Sequence, residues 1–442
     1  MKHYNRVGRL KLAGIVFICA FAITSLFAET VPQFQSGDRW CAVGDSITHG
    51  GLYSRYIYLF YATRFPDREI DYFNGGIAGD TARGTLKRVE SDILRHKPTV
   101  ATIMLGMNDV VRGLYAERNA NVPDIQKKRD AAIDENAASM KKLGQTLKAA
   151  GIRIIFITPS IFDDTAEMAR LNFPGCNAAL GRCAANDKKL AEEFKASIVD
   201  FHGPMTELNL NQQKSNPKFS IIGKDRVHPV EPGHFVMAYL FLKAQAVPKF
   251  VSDIVEDAAG KNQIEFTRKE NALPFPVPEK CVPALKLVPF MEEMNQECLR
   301  VKNLPAGKYK LSIDDQPIHS FSAAELDKGI NLAEFPSTPQ CRQALEVAKV
   351  DEQRHEFVNR LRTIDYVEGM MGRKIGDTEA FDFAAAAGEL KSGNPWVIKK
   401  IEDYLKFKPE QVELLNQLKD SVLKIRTMSQ PQPHRFNIKK ED

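Results

Sequence analysis

The sequence predicts an α/β fold in which a mainly parallel sheet is covered by helices on both faces. Between residues 38 and 250, short apolar runs alternate with longer segments of helical spacing, and glycines or polar residues directly follow several of the runs. Strands that alternate with helices are typical of βαβ units and hence of a parallel sheet. The runs predicted as strands are residues 40–43, 70–73, 99–105, 153–158 and 197–201.

Helices are predicted between these runs, among them residues 52–65, 82–95 and 129–150. Gly151 follows the last of the three, where a helix commonly ends on a glycine in the left-handed conformation. In parallel sheets of this kind, functional residues gather at the carboxyl ends of the strands. Candidate functional residues are therefore sought directly after each apolar run.

The pattern changes after residue 260. Five prolines between residues 273 and 289 exclude a long helix there. Residues 298–303, 308–313 and 318–321 are predicted to be short strands joined by turns, which gives a small antiparallel β module over residues 261–338.

A helical C-terminal region is predicted over residues 339–442, because apolar residues recur there at three- and four-residue spacing. The mixed charges between residues 342 and 362 are expected to form a solvated helix face. Residues 431–442 are expected to be a mobile tail. The sequence leaves open whether these helices pack on the first domain or form a dimer.

Residues 1–28 are predicted to be a secretory signal, followed by the first domain over residues 29–260. Four basic residues lie within the first 11, residues 12–28 are apolar and uncharged, and Ala28 is a small residue at the expected cleavage point. The alternative is an uncleaved anchor, although the apolar stretch is at the lower edge of what spans a bilayer. We therefore expect a secreted or periplasmic protein without stable membrane insertion after cleavage.

The net charge does not indicate a nucleic-acid-binding protein. The chain carries +5, but four of its basic residues belong to the predicted leader. No concentrated basic run, which such a partner would require, follows the leader.

Six cysteines follow the leader, an even number that permits disulfides in an exported protein. The best candidate pair is Cys176 with Cys183, because both lie in a segment that we expect to be a loop. No cysteine or histidine spacing indicates a metal site.

Four polar blocks each follow a predicted strand, and together they carry the chemistry. The block GDSIT places Ser46 at a strand-to-helix turn, where the helix N-terminus favours negative charge. The next blocks supply Gly79, whose backbone N–H can approach a reacting oxygen, and Asn108, whose amide can point at an oxyanion. The last block holds Asp225 three residues before His228, a spacing that lets the carboxylate orient the imidazole. Each block alone is ambiguous, because a serine in this place is more often a helix cap.

Residues beside these blocks receive structural interpretations. Asp45 and Asp109 are expected to fix turns and helix starts, and Asp80 is expected to cap the helix that follows it. His49 and His234 flank two of the blocks and are candidates for lining a substrate pocket.

With all four blocks present in order, the sequence resembles the SGNH/GDSL hydrolase family over roughly residues 38–250. The resemblance implies a three-layer α/β/α fold with a five-stranded parallel sheet, of the flavodoxin-like kind, and hydrolysis of acyl esters without a cofactor. It further implies that Ser46 is the nucleophile, His228 the general acid and base, and Asp225 the residue that orients the imidazole. The backbone N–H groups of Ser46 and Gly79 and the side-chain amide of Asn108 would form the oxyanion hole.

The expected substrate is a small-molecule or glycan acyl ester. An exported enzyme with an appended β module and no apolar lid favours O-acyl, and specifically O-acetyl, esters of carbohydrates. A lysophospholipase or short-chain acyl-ester hydrolase is the alternative within the same class.

Two hypotheses from other classes stay open. One is a non-catalytic glycan- or partner-binding protein on the same scaffold, although binding alone would require neither Ser46 nor His228. The other is a nucleotide-binding protein, disfavoured because the glycines near Gly79 lack the acidic residue and helix context of a dinucleotide site. The sequence does not indicate an oligomeric state.

Overall fold

The structure is a computed structural model that describes residues 30–370 and 395–441. The predicted leader therefore lies outside the described residues. Within the described ranges, no helix is both long and apolar enough to cross a lipid bilayer.

A five-stranded, all-parallel sheet forms the centre of the first half of the chain. Its strand order is β2-β1-β3-β4-β5, so the chain starts inside the sheet and then extends it in both directions. This confirms the predicted parallel sheet. The strands are β1 (Arg39–Gly44), β2 (Asp71–Gly76), β3 (Val100–Met104), β4 (Arg153–Ile157) and β5 (Ser197–Val199).

Helices cover both faces of this sheet, as an α/β/α sandwich requires. Alternate residues of β1 show the two layers: Trp40 and Ala42 pack toward α2, α6 and α7, whereas Cys41 and Val43 pack toward α3, α4 and α5. The helices are α1 (Ser46–Gly50), α2 (Leu52–Arg64), α3 (Ala82–Arg88), α4 (Ile125–Ala149), α5 (Cys176–Phe194), α6 (His202–Gln213) and α7 (Glu231–Ala244).

The predicted disulfide between Cys176 and Cys183 is wrong. Both cysteines are buried, free and part of helix α5, in a segment that was expected to be a loop. Seven residues of helix separate the two Cα atoms by about 10 Å, which is more than a disulfide can bridge.

The β region contains two small sheets that share an apolar core. One is antiparallel with the order β10-β9-β12-β7; in the other, β8 lies between β11 and β6, and its pairing with β6 is parallel. Because β6 precedes residue 260, the β region begins earlier than the expected boundary. Its strands and short helices are β6 (Phe250–Asp257), β7 (Gln263–Lys269), α8 (Phe290–Met294), β8 (Gln296–Lys302), β9 (Lys308–Ile313), β10 (Gln316–Ser322), α9 (Ala323–Lys328) and β11 (Ile330–Asn331).

Three further helices pack back on the α/β sandwich: α10 (Pro339–Met370), α11 (Pro395–Phe407) and α12 (Gln411–Met428). Helix α10 lies against β2 and α2, and α12 lies against α10. Most charged residues of the first part of α10 are exposed as expected, but Asp351, Arg354 and Arg362 are buried. Arg354 is 1% exposed, because it pairs with Asp351 at 2.8 Å and stacks 3.8 Å from the Tyr58 ring centroid.

The end of the chain is a strand, which corrects the expectation of a mobile tail. Strand β12 (Pro433–Lys440) lies between β7 and β9 and pairs antiparallel with both. Its alternate residues Phe436 and Ile438 are fully buried in the core of the β region. The polar residues between them, which made the segment look like a tail, face away from that core.

Candidate active site

Ser46 lies at the carboxyl edge of the parallel sheet, as the first residue of α1. Asp45 caps this helix, since its Oδ1 accepts a hydrogen bond from the backbone N–H of Ile47 at 3.0 Å. The turn requires a glycine at position 44, because a Cβ there would lie 2.2 Å from Thr48 Oγ1. The sequence block GDSIT therefore brings the Ser46 hydroxyl to the end of β1.

A tight loop before α7 presents His228. The backbone N–H of Gly223 donates to the carbonyl of His228 at 2.7 Å, which closes the loop. Arg226 adopts a left-handed conformation with φ of +65°, and its buried guanidinium donates to the carbonyls of Asp163 and Ala166. These bonds anchor the loop from below, so that His228 points toward Ser46.

The three residues predicted as nucleophile, base and orienting acid form one continuous hydrogen-bonded chain. Ser46 Oγ lies 2.7 Å from His228 Nε2, and His228 Nδ1 lies 2.5 Å from Asp225 Oδ2. Burial acts to raise the pKa of Asp225, but hydrogen bonds from the side chain and backbone of His228 and from the backbone of Val227 hold it below its usual value. The carboxylate is thus charged at neutral pH and suited to accept the Nδ1–H bond.

The site is open to solvent. The side chains of His228 and Asp225 are 48% and 41% exposed, and Gly79 is exposed as well. The candidate catalytic side chains therefore lie on a rim rather than at the bottom of a tunnel, where a bulky molecule can reach them.

The two other predicted oxyanion donors belong to neighbouring loops that contact each other. Gly79 has φ of +80° in the turn after β2, a conformation that favours glycine. Asn108 follows β3, and its Nδ2 donates to the carbonyl of Asp80 at 2.9 Å. Its Oδ1 accepts from Arg112 Nη1 at 3.1 Å, so both partners fix which side of the amide carries its N–H groups.

The sequence had suggested that Asp80 caps α3, but the capping residue is Thr81. Thr81 Oγ1 accepts from the backbone N–H of Gly84 at 3.0 Å. The Asp80 carboxylate instead accepts from Thr85 Oγ1 and from Arg88 Nε, at 2.7 and 2.8 Å. Asp80 therefore anchors the loop of Gly79 to α3 through its side chain.

His234 is buried beside the site, and His49 is partly buried. Burial, with the positive charges of Lys400 and Arg362, lowers the pKa of His49 to about 3. Burial and the nearby His228 likewise lower the pKa of His234 to about 3. Both rings are neutral at pH 7, and Nδ1 of His49 donates to the carbonyl of Gly76 at 3.2 Å.

Asp45, the one carboxyl of the GDSIT block, has a pKa that is shifted by its surroundings. Its burial raises the pKa of the carboxyl to about 7, with the nearby Asp109 adding to the increase and the N–H of Ile47 opposing it. The protonation of this helix cap therefore changes within the physiological pH range.

Sequence reasoning missed three charged residues that lie directly behind the site. Arg362 of α10 contacts Asp92 and the carbonyl of Gly76, and Arg88 of α3 contacts Asp92 and Asp80. Asp92 and Arg362 are 270 residues apart in sequence. No local pattern marks such a pair, because it exists only once α10 has packed on β2.

Known proteins resemble the first half of this chain. The family model described as GDSL-like lipase/acylhydrolase matches residues 41–241. An acetylxylan esterase of Geobacillus stearothermophilus is 26% identical over 226 residues, which is 48% of this chain and 95% of that protein. Its crystal structure aligns over 48% of this chain and 96% of its own, with a TM-score of 0.39 and 26% identity.

A gut microbial diltiazem-metabolizing enzyme is similar over nearly the whole chain. Its structure aligns with a TM-score of 0.86 and 31% identity, covering 94% of this chain and all of the other. The likeness therefore includes the β region and the C-terminal helices as well as the sandwich. The chain belongs to the GDSL-like lipase/acylhydrolase family. It is a carboxylic ester hydrolase.

Proposed function

We propose that this protein is an exported O-acetyl esterase that removes acetyl groups from carbohydrate hydroxyls through a Ser46 acyl-enzyme. The observation that carries the proposal is the hydrogen-bonded chain from Ser46 through His228 to Asp225, with Gly79 and Asn108 in adjoining loops. This arrangement supports nucleophilic acyl transfer, and a binding protein would have no need of it.

In the first half of the reaction, Ser46 Oγ attacks the ester carbonyl carbon while His228 Nε2 takes the hydroxyl proton. Asp225 holds the Nδ1–H tautomer, which leaves Nε2 as the acceptor, and stabilises the imidazolium that forms. The bond between the acyl carbon and the alcohol oxygen then breaks, and His228 gives its proton to the leaving alcohol. Acetyl-Ser46 remains.

In the second half, water attacks the acetyl-enzyme with His228 as the base, and acetate leaves as the proton returns to Ser46 Oγ. Both tetrahedral intermediates carry a negative oxygen. The backbone N–H groups of Ser46 and Gly79 and the Nδ2–H of Asn108 stabilise that oxygen, and each such donor contributes about 3–4 kcal/mol to the barrier reduction.

Two considerations support an acetyl group on a secondary alcohol. One similar protein is named for acetylxylan, whose acetates lie on sugar ring hydroxyls. A second similar protein is named for diltiazem. Diltiazem contains a single carboxylic ester, which is the acetate of a secondary ring alcohol. The exposed rim at His228 and Asp225 agrees with a bulky alcohol part such as an oligosaccharide.

Export is the part of the proposal that rests on the sequence alone. The basic and apolar segments of residues 1–28 support a signal that is cleaved after Ala28. N-terminal sequencing of protein recovered from the periplasm or medium of the native host tests it. We expect the mature chain to begin at Glu29, and recovery of the intact N-terminus in the membrane fraction would contradict cleavage.

The substrate is tested with a panel that varies the acyl and the alcohol parts separately. The acyl series is p-nitrophenyl acetate, butyrate and octanoate; the alcohol series is acetylated xylo-oligosaccharide, diltiazem and p-nitrophenyl acetate. We expect kcat/KM to fall at least tenfold from acetate to octanoate, and both secondary acetates to be hydrolysed. The Ser46→Ala variant provides the background rate for every substrate.

A higher kcat/KM for octanoate than for acetate would contradict an acetyl esterase and favour a lipid ester hydrolase. Hydrolysis of p-nitrophenyl acetate with no release of acetate from either secondary acetate would leave a serine esterase but contradict the proposed alcohol class. Acetate release that persists in Ser46→Ala would contradict the acyl-enzyme mechanism.

A further inference from the structure

We propose that helix α10 completes the active site, and that Arg362 is a positioning residue for the oxyanion donors at Gly79 and Asn108. The proposal rests on the proposed mechanism, in which both donors stabilise the tetrahedral intermediate. It gives the C-terminal region a part in catalysis, although the reacting groups of the proposed mechanism all belong to the α/β sandwich.

Arg362 holds the start of the loop that carries Gly79. Its Nε donates to the carbonyl of Gly76 at 3.0 Å, and its Nη1 and Nη2 donate to the two carboxylate oxygens of Asp92 at 2.6 and 2.8 Å. Gly76 is the last residue of β2, so its carbonyl is where the strand ends and the loop begins. The neutral imidazole of His49 donates to the same carbonyl from the other side.

Arg88, which pairs with Asp92, holds the other end of the same loop. Asp92 accepts from Arg88 Nη1 at 2.5 Å, and Arg88 contacts the Asp80 carboxylate through Nε at 2.8 Å. Arg88 Nη2 also donates to the carbonyl of Gly75 at 3.0 Å. The row Arg362–Asp92–Arg88–Asp80, here called the charge row, therefore anchors the loop on both sides of Gly79.

The charge row also reaches Asn108. The carbonyl of Asp80 accepts the hydrogen bond from Asn108 Nδ2, so any displacement of Asp80 changes the direction of the side-chain amide. The backbone donor at Gly79 and the side-chain donor at Asn108 thus share one support. Since Gly79 itself is exposed and has no side chain to pack, that support has to come from the residues around it.

The charge row is buried, which indicates that it holds the loop of Gly79 in one position. No side chain in it is more than 14% exposed, and Arg362 is 1% exposed. Burial acts to raise the pKa of Asp92, yet the two arginines hold it well below its usual range, so the row is charged. Buried ion pairs contribute little net stability compared with apolar packing, whereas the planar fork of an arginine fixes direction closely.

Arg354 provides a matched control on the same helix. It is as buried as Arg362 and also pairs with an aspartate, Asp351, but it stacks on Tyr58 of α2 and makes none of the contacts to the Gly79 loop. Arg362→Met and Arg354→Met remove equivalent buried charges. Arg362→Lys is the second test variant, because it keeps the positive charge opposite Asp92 while losing the fork.

The experiment measures kcat and KM for p-nitrophenyl acetate, the inhibition constant of a phenylboronic acid, and the melting temperature of each full-length variant. The boronic acid forms a tetrahedral adduct on a serine oxygen and so reports the oxyanion site. For Arg362→Met we expect kcat to fall about 10- to 100-fold and the boronic acid to bind correspondingly more weakly, with KM within about threefold. Arg362→Lys should lose less, and Arg354→Met should keep kcat within about threefold even where its melting temperature falls.

Equal kcat losses in Arg362→Met and Arg354→Met at matched stability would overturn the proposal, because the contribution of α10 would then be general packing. A folded Arg362→Lys with wild-type kcat and wild-type boronic acid affinity would also overturn it. If the wild type itself lacks Ser46-dependent hydrolysis, the proposed function fails first. Wild-type hydrolysis together with insensitive Arg362 variants rejects the positioning residue alone.

Discussion

The charged residues at the candidate catalytic rim and those between α10 and the sandwich differ in exposure and in sequence separation. At the rim, His228 and Asp225 are 48% and 41% exposed and lie three residues apart in sequence. Beneath α10, Arg362 and Asp92 are 1% and 5% exposed and come from distant parts of the chain. In the proposed mechanism the exposed pair, which belongs to a short sequence motif, acts on the substrate. In the proposed positioning role, the buried pair supports the loops of Gly79 and Asn108.

The comparison shows why the two groups call for different experiments. A rim residue that touches the reacting atoms is expected to change the rate with little change in stability, because water already surrounds it. Breaking the buried Arg362–Asp92 pair is expected to change both, because it leaves an uncompensated charge and also removes a contact to the loop of Gly79. Substitutions at the rim and in buried regions are therefore expected to differ in their effects on rate and on stability.

The largest effect is expected for Ser46→Ala. Loss of the nucleophile removes the covalent step, and the rate constant for ester hydrolysis should fall on the order of a million-fold. Ser46 is partly exposed and is not part of the apolar core, so the melting temperature should change by less than about 2 °C. Stopped assays with p-nitrophenyl acetate and differential scanning calorimetry measure the two quantities. A variant that keeps a tenth of the activity would show that the hydrogen-bonded triad is not the catalytic group.

Asn108→Ala comes next. It removes one oxyanion donor and the hydrogen bond to the Asp80 carbonyl, so kcat should fall about 100- to 1,000-fold. KM should change little, since the donor acts mainly on the tetrahedral intermediate. Steady-state kinetics with an acetate substrate gives the two constants separately. A rise in KM at unchanged kcat would mean that Asn108 binds the ground state and is no oxyanion donor.

The sequence was sufficient to predict the sandwich and to single out the residues that meet at its edge. This was possible because a parallel sheet converts sequence order into spatial neighbourhood: whatever follows a strand lies on the same rim. Ser46, Gly79 and Asn108 follow the ends of β1, β2 and β3, and the strand order brings these three together. His228 instead lies in the loop between α6 and α7, and the packing of that loop brings it to Ser46.

The rest could not be predicted from the sequence, because it depends on tertiary contacts without a local signature. The charges of α10 have the composition of a solvated face, and only the docking of that helix on β2 buries Arg362 against Asp92. Strand β12 looked like a tail because a single alternating strand is not stable alone and needs β7 and β9 to pair with. Local propensity says nothing about such distant partners.

Phe436→Ala tests the β region, where packing and not charge is the main interaction. Phe436 is fully buried in β12 and stacks on Phe266 with ring centroids 5.0 Å apart. Removing the ring should cost about 3–5 kcal/mol in the free energy of unfolding of this region. Because Phe436 belongs to the core of the β region and not to the cores of the sandwich, kcat of the folded protein should stay within about twofold. Chemical denaturation followed by fluorescence gives the change in stability, and activity measured in the absence of denaturant gives kcat. A fall in kcat of more than tenfold in the folded variant would show that the β region also positions the catalytic site.

Asp45→Asn is expected to have the smallest effect and to reveal itself only as a dependence on pH. Burial raises the pKa of Asp45 in the folded protein to about 7, above its value of about 4 in the unfolded chain, so folding holds its proton more tightly. The stability from this group is present below pH 4 and is lost as the pH rises toward 7. Asparagine cannot ionise, yet its Oδ1 can still accept from Ile47 N–H and cap α1. The melting temperature of the variant relative to the wild type should therefore increase by a few degrees between pH 4.5 and pH 8, and calorimetry at four pH values gives this difference directly. A difference that stays constant over that range would mean that the carboxyl is already ionised in the folded state at pH 4.5, and that the helix cap carries its negative charge in spite of its burial.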